Sequence, residues 1–385
     1  MSKPIHPFFG FSGLRAVACL SVIFYHLNQL RPIANLEKWD WNIYQFTETL
    51  TIAVSFFFIL TGTGISIRYW TAIFENTPLP SVRKSYIERC IRVVPIYWIA
   101  LLITFILVLI TQGGTFETWI RFVSGIFFLS WVHPVTFFPV DINGPLWYIS
   151  FDILGSLLVF GTMWLLGNMQ KRYIPLGLLG ITGLLILGHF AFKQIPFPVI
   201  SGIMSEWFPT HNPFIFGLHF LLGIPVGAGL VWGMKHLQKT SIWFDIAWVV
   251  CVGLLVKFLW YIRDMSDYVY SAFDGPFHFP LVGLLIAGII GFIPFTRVLA
   301  HIFEWGVFRF IAKISYSIYL WHALVIYGLQ QCIFKETITS IQEWWILSAA
   351  TVVITFIVAW GSQKVLEQGI SSKLQKWNIF LTRDA

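Results

Sequence analysis

Arg15 and His26 lie eleven residues apart in the apolar segment GLRAVACLSVIFYH. At ~100° per residue that is close to three whole turns, so a helix presents both on one face, ~16 Å apart along its axis. Arginine suits phosphate because its planar fork binds two oxygens at once. Histidine suits proton transfer because neutral imidazole titrates near working pH. Two more ionisable groups sit inside apolar runs: Asp152 in NGPLWYISFDILG and His322 in KISYSIYLWHALV. Charge at membrane depth is costly, so each is a functional hypothesis by default. Counted along their helices, His26 lies ~22 Å and His322 ~18–20 Å from the inner end, while Asp152 lies ~10 Å below the outer boundary. The three are expected to converge on one depth, with hydroxyls from Ser150, Ser315, Ser317 and Tyr319 nearby. A lone membrane histidine is as often a hydrogen-bonded packing residue. Three such groups at matching depth on separate helices favour a site.

A basic cluster, Arg15, Arg68, Arg83, Lys84, Arg89 and Arg92, gathers at the inner side. The tendency of cytoplasmic loops to be positive explains Arg83 and Lys84. Arg15, Arg68 and Arg92 fall at or within helix ends, which fits a phosphate-bearing cytosolic ligand. The stretch VSFFFILTGTGISIR holds Gly62 and Gly64. Small residues there read first as helix packing, and second as passage for a narrow ligand tail. No phosphate-binding loop, HExxH, GxSxG or paired Cys/His metal spacing occurs, so no metal is expected. Cys19, Cys90, Cys251 and Cys332 are scattered and read as small core residues. The basic residues follow topology without a binding motif, so nucleic acid is not expected as a partner.

The elements that must carry these groups follow from composition. Of 385 residues, 57% are hydrophobic and only 11% charged, with a formal net charge of +7. Soluble domains carry about 25% charged residues. A water-soluble enzyme, a disordered chain and a repeat solenoid are thereby excluded. The expected fold is all-α, a polytopic bundle of transmembrane helices. Ten apolar runs lie near 12–30, 49–70, 91–111, 144–166, 173–192, 213–233, 241–262, 279–297, 309–334 and 343–366. A shorter run, 119–132, is read as re-entrant or interfacial. With that assignment Lys171, Arg172, Lys235, Lys239, Lys373, Lys376 and Arg383 fall inside. Glu37, Asp40, Asp141, Glu206, Asp264, Asp267, Asp274 and Glu336 then fall outside. Ten crossings with both termini cytoplasmic is the expected topology, in a single membrane domain over residues 1–385.

In these same residues the chain resembles the membrane-bound acyltransferase 3 family. That family places an Arg, ten residues and a His in its first helix, matched by Arg15 and His26. Similar segments follow in order: SFFFILTGTGI (55–65), ERCIRVVPIYW (88–98), PLWYISFD (145–152) and SYSIYLWH (315–322). Two departures stand out. Asp152 replaces the usual Glu, one methylene shorter, and Thr61-Gly62-Thr63 replaces Ser-Gly-Phe.

The resemblance implies an O-acetyltransferase of the bacterial inner (plasma) membrane, without a fused extracytoplasmic domain. It would move an acetyl or other short acyl group from cytosolic acetyl-CoA to a hydroxyl of a surface polysaccharide or lipid-linked glycan such as O-antigen. His26 is expected as general base, with Asp152 orienting and His322 or Tyr319 assisting. Arg15, Arg68, Arg89 and Arg92 would hold the phosphates. An acyl-enzyme and a homo-oligomer are left open. The rival reading is a proton-coupled secondary transporter using the same His and Asp groups.

Overall fold

The computed structural model describes residues 6–34, 36–197, 208–209, 211–237, 240–263, 278–334, 338–370 and 372–373. Glu206, Lys239, Asp264, Asp267, Asp274, Glu336, Lys376 and Arg383 of the charge pattern lie outside these residues. The protein is all-α, and no β-sheet forms among the described residues, only a single bridge between Ser241 and Thr296. Its helices are α1 (Phe11–Asn28), α2 (Lys38–Glu48), α3 (Ala53–Glu75), α4 (Val82–Thr111), α5 (Phe116–Ile126), α6 (Trp147–Gly167) and α7 (Ile174–Lys193). They continue with α8 (Pro213–His236), α9 (Ile242–Ile262), α10 (His278–Phe292), α11 (Leu299–Phe303), α12 (Gly306–Leu329) and α13 (Ile341–Ser362).

Each of the ten apolar runs becomes a helix. Eight helical stretches among the described residues are long and apolar enough to cross a membrane. The short α10 and α1, which carries Arg15 and His26, are not among those eight. Large apolar side chains point outward along α7 and α13, including Leu179 at 68% and Ile357 at 62% exposure. Such continuous apolar surface needs a lipid solvent.

Local signals set the helix ends. Ser81 caps α4 by accepting from the Lys84 amide, and Asn212 caps α8 by accepting from Phe214 and Ile215. Asn76 ends α3 in the left-handed conformation, φ 54°. Because α4 begins at Val82, Arg83, Lys84 and Arg89 belong to its first two turns rather than to a loop.

Two compact units share the chain. One comprises Met1–Tyr25, Asn35–Pro80 and Leu154–Lys313; the other comprises His26–Ala34, Ser81–Ile153 and Ile314–Ala385. In the first, α3 packs closely on α8. A Cβ on Gly62 would meet the Phe220 carbonyl oxygen at 2.1 Å, and one on Gly223 would meet the Thr63 nitrogen at 2.3 Å. Ser66 and Trp70 donate across this seam to the carbonyls of Gly223 and Ile224. Gly62 therefore serves packing. At Gly62 the backbone of α8 fills the space that a narrow ligand tail would need. In the same unit Glu304 accepts from the Gly10 and Ser12 amides and the Ser12 hydroxyl, closing the start of α1.

In the second unit, α5 folds back onto α4. The hydroxyl of Tyr97 and the indole of Trp98 donate to the carbonyls of Gly125 and Ile126, satisfying the last turn of α5. Phe105 stacks on Phe122 at 3.9 Å. Arg121 pairs with Glu117 and Asp141. With 11 residues, α5 is ~16 Å long and too short to span a bilayer.

Candidate active site

The second unit brings together most of the expected site residues. His26, in the last turn of α1, and His322, in α12, have ring centroids 5.1 Å apart. His322 is fully buried, and its Nδ1 lies 2.8 Å from the Tyr319 carbonyl oxygen and 3.3 Å from that of Ile318. A carbonyl only accepts, so Nδ1 carries the proton and Nε2 bears the lone pair. Among the described residues that buried Nε2 has no hydrogen-bond partner. His26 is half-buried. Its Nδ1 lies 3.2 Å from Gln29 Oε1 and donates to it, which leaves the ring's lone pair on Nε2.

Tyr319 is buried beside this pair, 5.7 Å from the His322 ring and 4.9 Å from Tyr148. Its hydroxyl donates to the Pro145 carbonyl oxygen, tying α12 to the chain just before α6. Asn143 makes a second tie, donating to the Leu320 carbonyl at 3.0 Å. These two bonds fix the height of His322 against the start of α6.

Asp152 follows Pro145 by seven residues, ~10 Å further along α6. It pairs with Arg89 of α4, whose terminal nitrogen donates to both carboxylate oxygens at 2.7 Å. Near this pair the Tyr316 hydroxyl donates to the Val93 carbonyl at 2.7 Å. Ser317 donates to Glu367, and Trp321 donates to Ser362 at 2.9 Å. The structure thus joins His26 to His322 and Asp152 to Arg89. Arg92 is exposed in the second unit, while Arg15 and Arg68 are exposed in the first.

Gln29, Asn143 and Glu367 were not singled out from sequence. Gln29 had a signal, since it sits three residues beyond His26 on the same face. Glu367 had one too, as a carboxylate at the end where Lys and Arg dominate. Among the described residues no cluster of His, Cys, Asp and Glu could hold a metal ion.

His26 and His322 thus form an imidazole pair, one ring half-buried and the other fully buried. The family model described as an acyltransferase domain matches residues 8–361. The chain belongs to the acyltransferase 3 family. A Staphylococcus aureus (strain COL) protein provisionally named as an O-acetyltransferase is 26% identical over 347 residues, covering 82% of this chain and 50% of that protein. Peptidoglycan O-acetyltransferase OatA of Listeria monocytogenes is 24% identical over 346 residues, covering 82% of this chain and 48% of its own. The chain spans about half the length of the curated relatives it matches. No solved structure matches it. The chain is therefore an all-α member of this family, with eight helical stretches among the described residues long and apolar enough to cross a membrane.

Proposed function

We propose that this acyltransferase moves an acetyl or other short acyl group from cytosolic acyl-CoA to a hydroxyl of a cell-surface polysaccharide or lipid-linked glycan. The proposal includes a plasma-membrane location with both termini cytoplasmic. The observation that carries it is the His26–His322 pair, with the lone pair of each ring on Nε2. The Listeria relative is named for O-acetylation of peptidoglycan, which supports a surface glycan as the acceptor class.

In this reading the acceptor hydroxyl gives its proton to His26 Nε2 as its oxygen attacks the thioester carbonyl. Half-buried His26 is the ring an acceptor reaches; the fully buried His322 stands behind it. The C–S bond breaks, and the thiolate takes the proton back from the imidazolium. The products are the ester and free coenzyme A thiol, with protons balanced. Gln29 holds the His26 tautomer, and the Tyr319 carbonyl holds that of His322. Asp152 acts through Arg89, keeping that guanidinium in place. The phosphate-holding role of Arg15, Arg68 and Arg92 rests on their chemistry and exposure. Arg89, already engaged by Asp152, contributes less.

The test compares His26→Asn with Arg15→Ala in membranes, reading O-acetyl groups on the surface glycan. His26→Asn is expected to abolish transfer at any donor concentration, and Arg15→Ala to weaken use of the donor. Normal transfer by well-expressed His26→Asn protein sinks the base role. Proteoliposome flux without dependence on acyl-CoA would favour a transporter instead.

A further inference from the structure

The turn in which His26 sits is held from outside its own helix. Helix α1 ends at Asn28, so the carbonyls of its last turn lack intrahelical partners. Leu27, fully buried, follows His26 directly. Its carbonyl oxygen accepts from the Leu30 amide at 3.1 Å and from the indole nitrogen of Trp344 at 2.7 Å. Trp344 is buried, in the first turns of α13. The start of that helix is itself fixed: Ser340 accepts from the Glu343 amide, and Glu343 accepts from the Thr339 and Ser340 amides. The guanidinium of Arg31 lies 5.5 Å from the centroid of the Trp344 ring. The indole is thus inserted between Leu27 and Arg31, in the turn that also carries Gln29, the hydrogen-bond partner of His26.

We infer that Trp344 is a positioning residue for the acyl-transfer reaction, setting the His26 imidazole against His322 through its bond to the Leu27 carbonyl. This rests on the reading of His26 as the base. Without the indole N–H, the peptide after His26 loses its outside anchor. The His26 ring and its Gln29 contact then sample positions that are unproductive for proton transfer. Misplacement of a catalytic group by a fraction of an ångström is costly in turnover and leaves substrate binding largely untouched.

The discriminating variant is Trp344→Phe, which keeps a buried ring and removes the donor. Trp345→Phe is the control, since Trp345 is 61% exposed. Both are assayed in inverted membrane vesicles carrying their own surface glycan, with acetyl-CoA varied and thiol release measured per mole of folded protein. Trp344→Phe is expected to lower kcat about tenfold with the KM for acetyl-CoA within about twofold of the parent. Trp345→Phe is expected to match the parent. In 15N-histidine spectra of the detergent-purified protein, the His26 signal, identified by its loss in His26→Asn, should shift in Trp344→Phe alone. An unchanged kcat in Trp344→Phe, or a loss explained by less folded protein with an unshifted His26 signal, overturns the inference. Normal release by His26→Asn would instead overturn the reading of the site itself.

Discussion

The rings of His26 and His322 stand 5.1 Å apart at an angle of 38°, one half-buried and the other fully buried. His26 Nδ1 donates to the side-chain amide oxygen of Gln29 and His322 Nδ1 to the Tyr319 carbonyl, so each ring is held by a residue close to it in sequence. His322→Gln removes a ring whose buried Nε2 has no hydrogen-bond partner among the described residues. It should lower acyl transfer by about 100-fold or more. The measurement is O-acetyl content of surface glycan, normalised to protein in the membrane. Transfer within a few-fold of the parent would show that His322 only fills space.

The Arg89–Asp152 pair is mostly removed from solvent, with side-chain exposures of 16% and 5%. Asp152→Ala would strand a buried guanidinium, at a cost of about 3–5 kcal/mol. Replacing both partners by Leu leaves no buried charge behind and should cost less than the single change. Thermal unfolding in detergent separates the two outcomes. A double variant less stable than Asp152→Ala would show that the charges contribute more than each other's neutralisation.

That pair was not legible in the sequence, although both residues were. Arg89 looked like part of a cytoplasmic loop because polar residues dominate 81–90, so an apolar-run reading starts the helix near 91. Ser81 in fact caps the helix, which begins at Val82. Asp152 reads as an outer-side group from its own run, and nothing in that run names Arg89 as its partner. The helices themselves are legible because apolar length is a strong signal, and eight helical stretches among the described residues are long and apolar enough to cross a membrane. Helix neighbours are not, since a single sequence carries no record of which faces meet. The His26–His322 meeting was legible only as agreement in depth. The bond from Trp344 to Leu27, which joins residues far apart in sequence, left no local trace.

Gly62 and Gly64 illustrate the same limit at one motif. Sequence treats them alike. In the structure Gly62 faces the Phe220 carbonyl, whereas a Cβ on Gly64 would meet nothing nearer than Phe8 at 4.0 Å. Gly62→Ala should therefore destabilise the protein by about 2 kcal/mol or more through forced separation of α3 and α8. Gly64→Ala should be neutral or slightly stabilising, because alanine favours the helix. Melting temperatures of the two variants decide it, and equal temperatures would refute the close approach of the helices.

Thr351 and Thr355 of α13 are fully buried, and among the described residues their hydroxyls have no hydrogen-bond partner. Thr104 of α4 is equally buried, yet its hydroxyl donates to the Ala100 carbonyl at 2.7 Å and accepts from Asn143 at 3.4 Å. The same Thr→Val change should therefore have opposite signs at the two places. At Thr351 it removes a desolvated hydroxyl that gains nothing, so stability should rise by about 1 kcal/mol. At Thr104 it breaks a made bond and removes one partner of Asn143, so stability should fall by about 1 kcal/mol. Asn143 also holds the Leu320 carbonyl, two residues before His322, so Thr104→Val should reduce acyl transfer while Thr351→Val leaves it unchanged. Denaturation in detergent and glycan O-acetyl content together test both signs. A destabilised Thr351→Val protein would mean that its hydroxyl finds a partner in the membrane, and the packing of α13 would need revision.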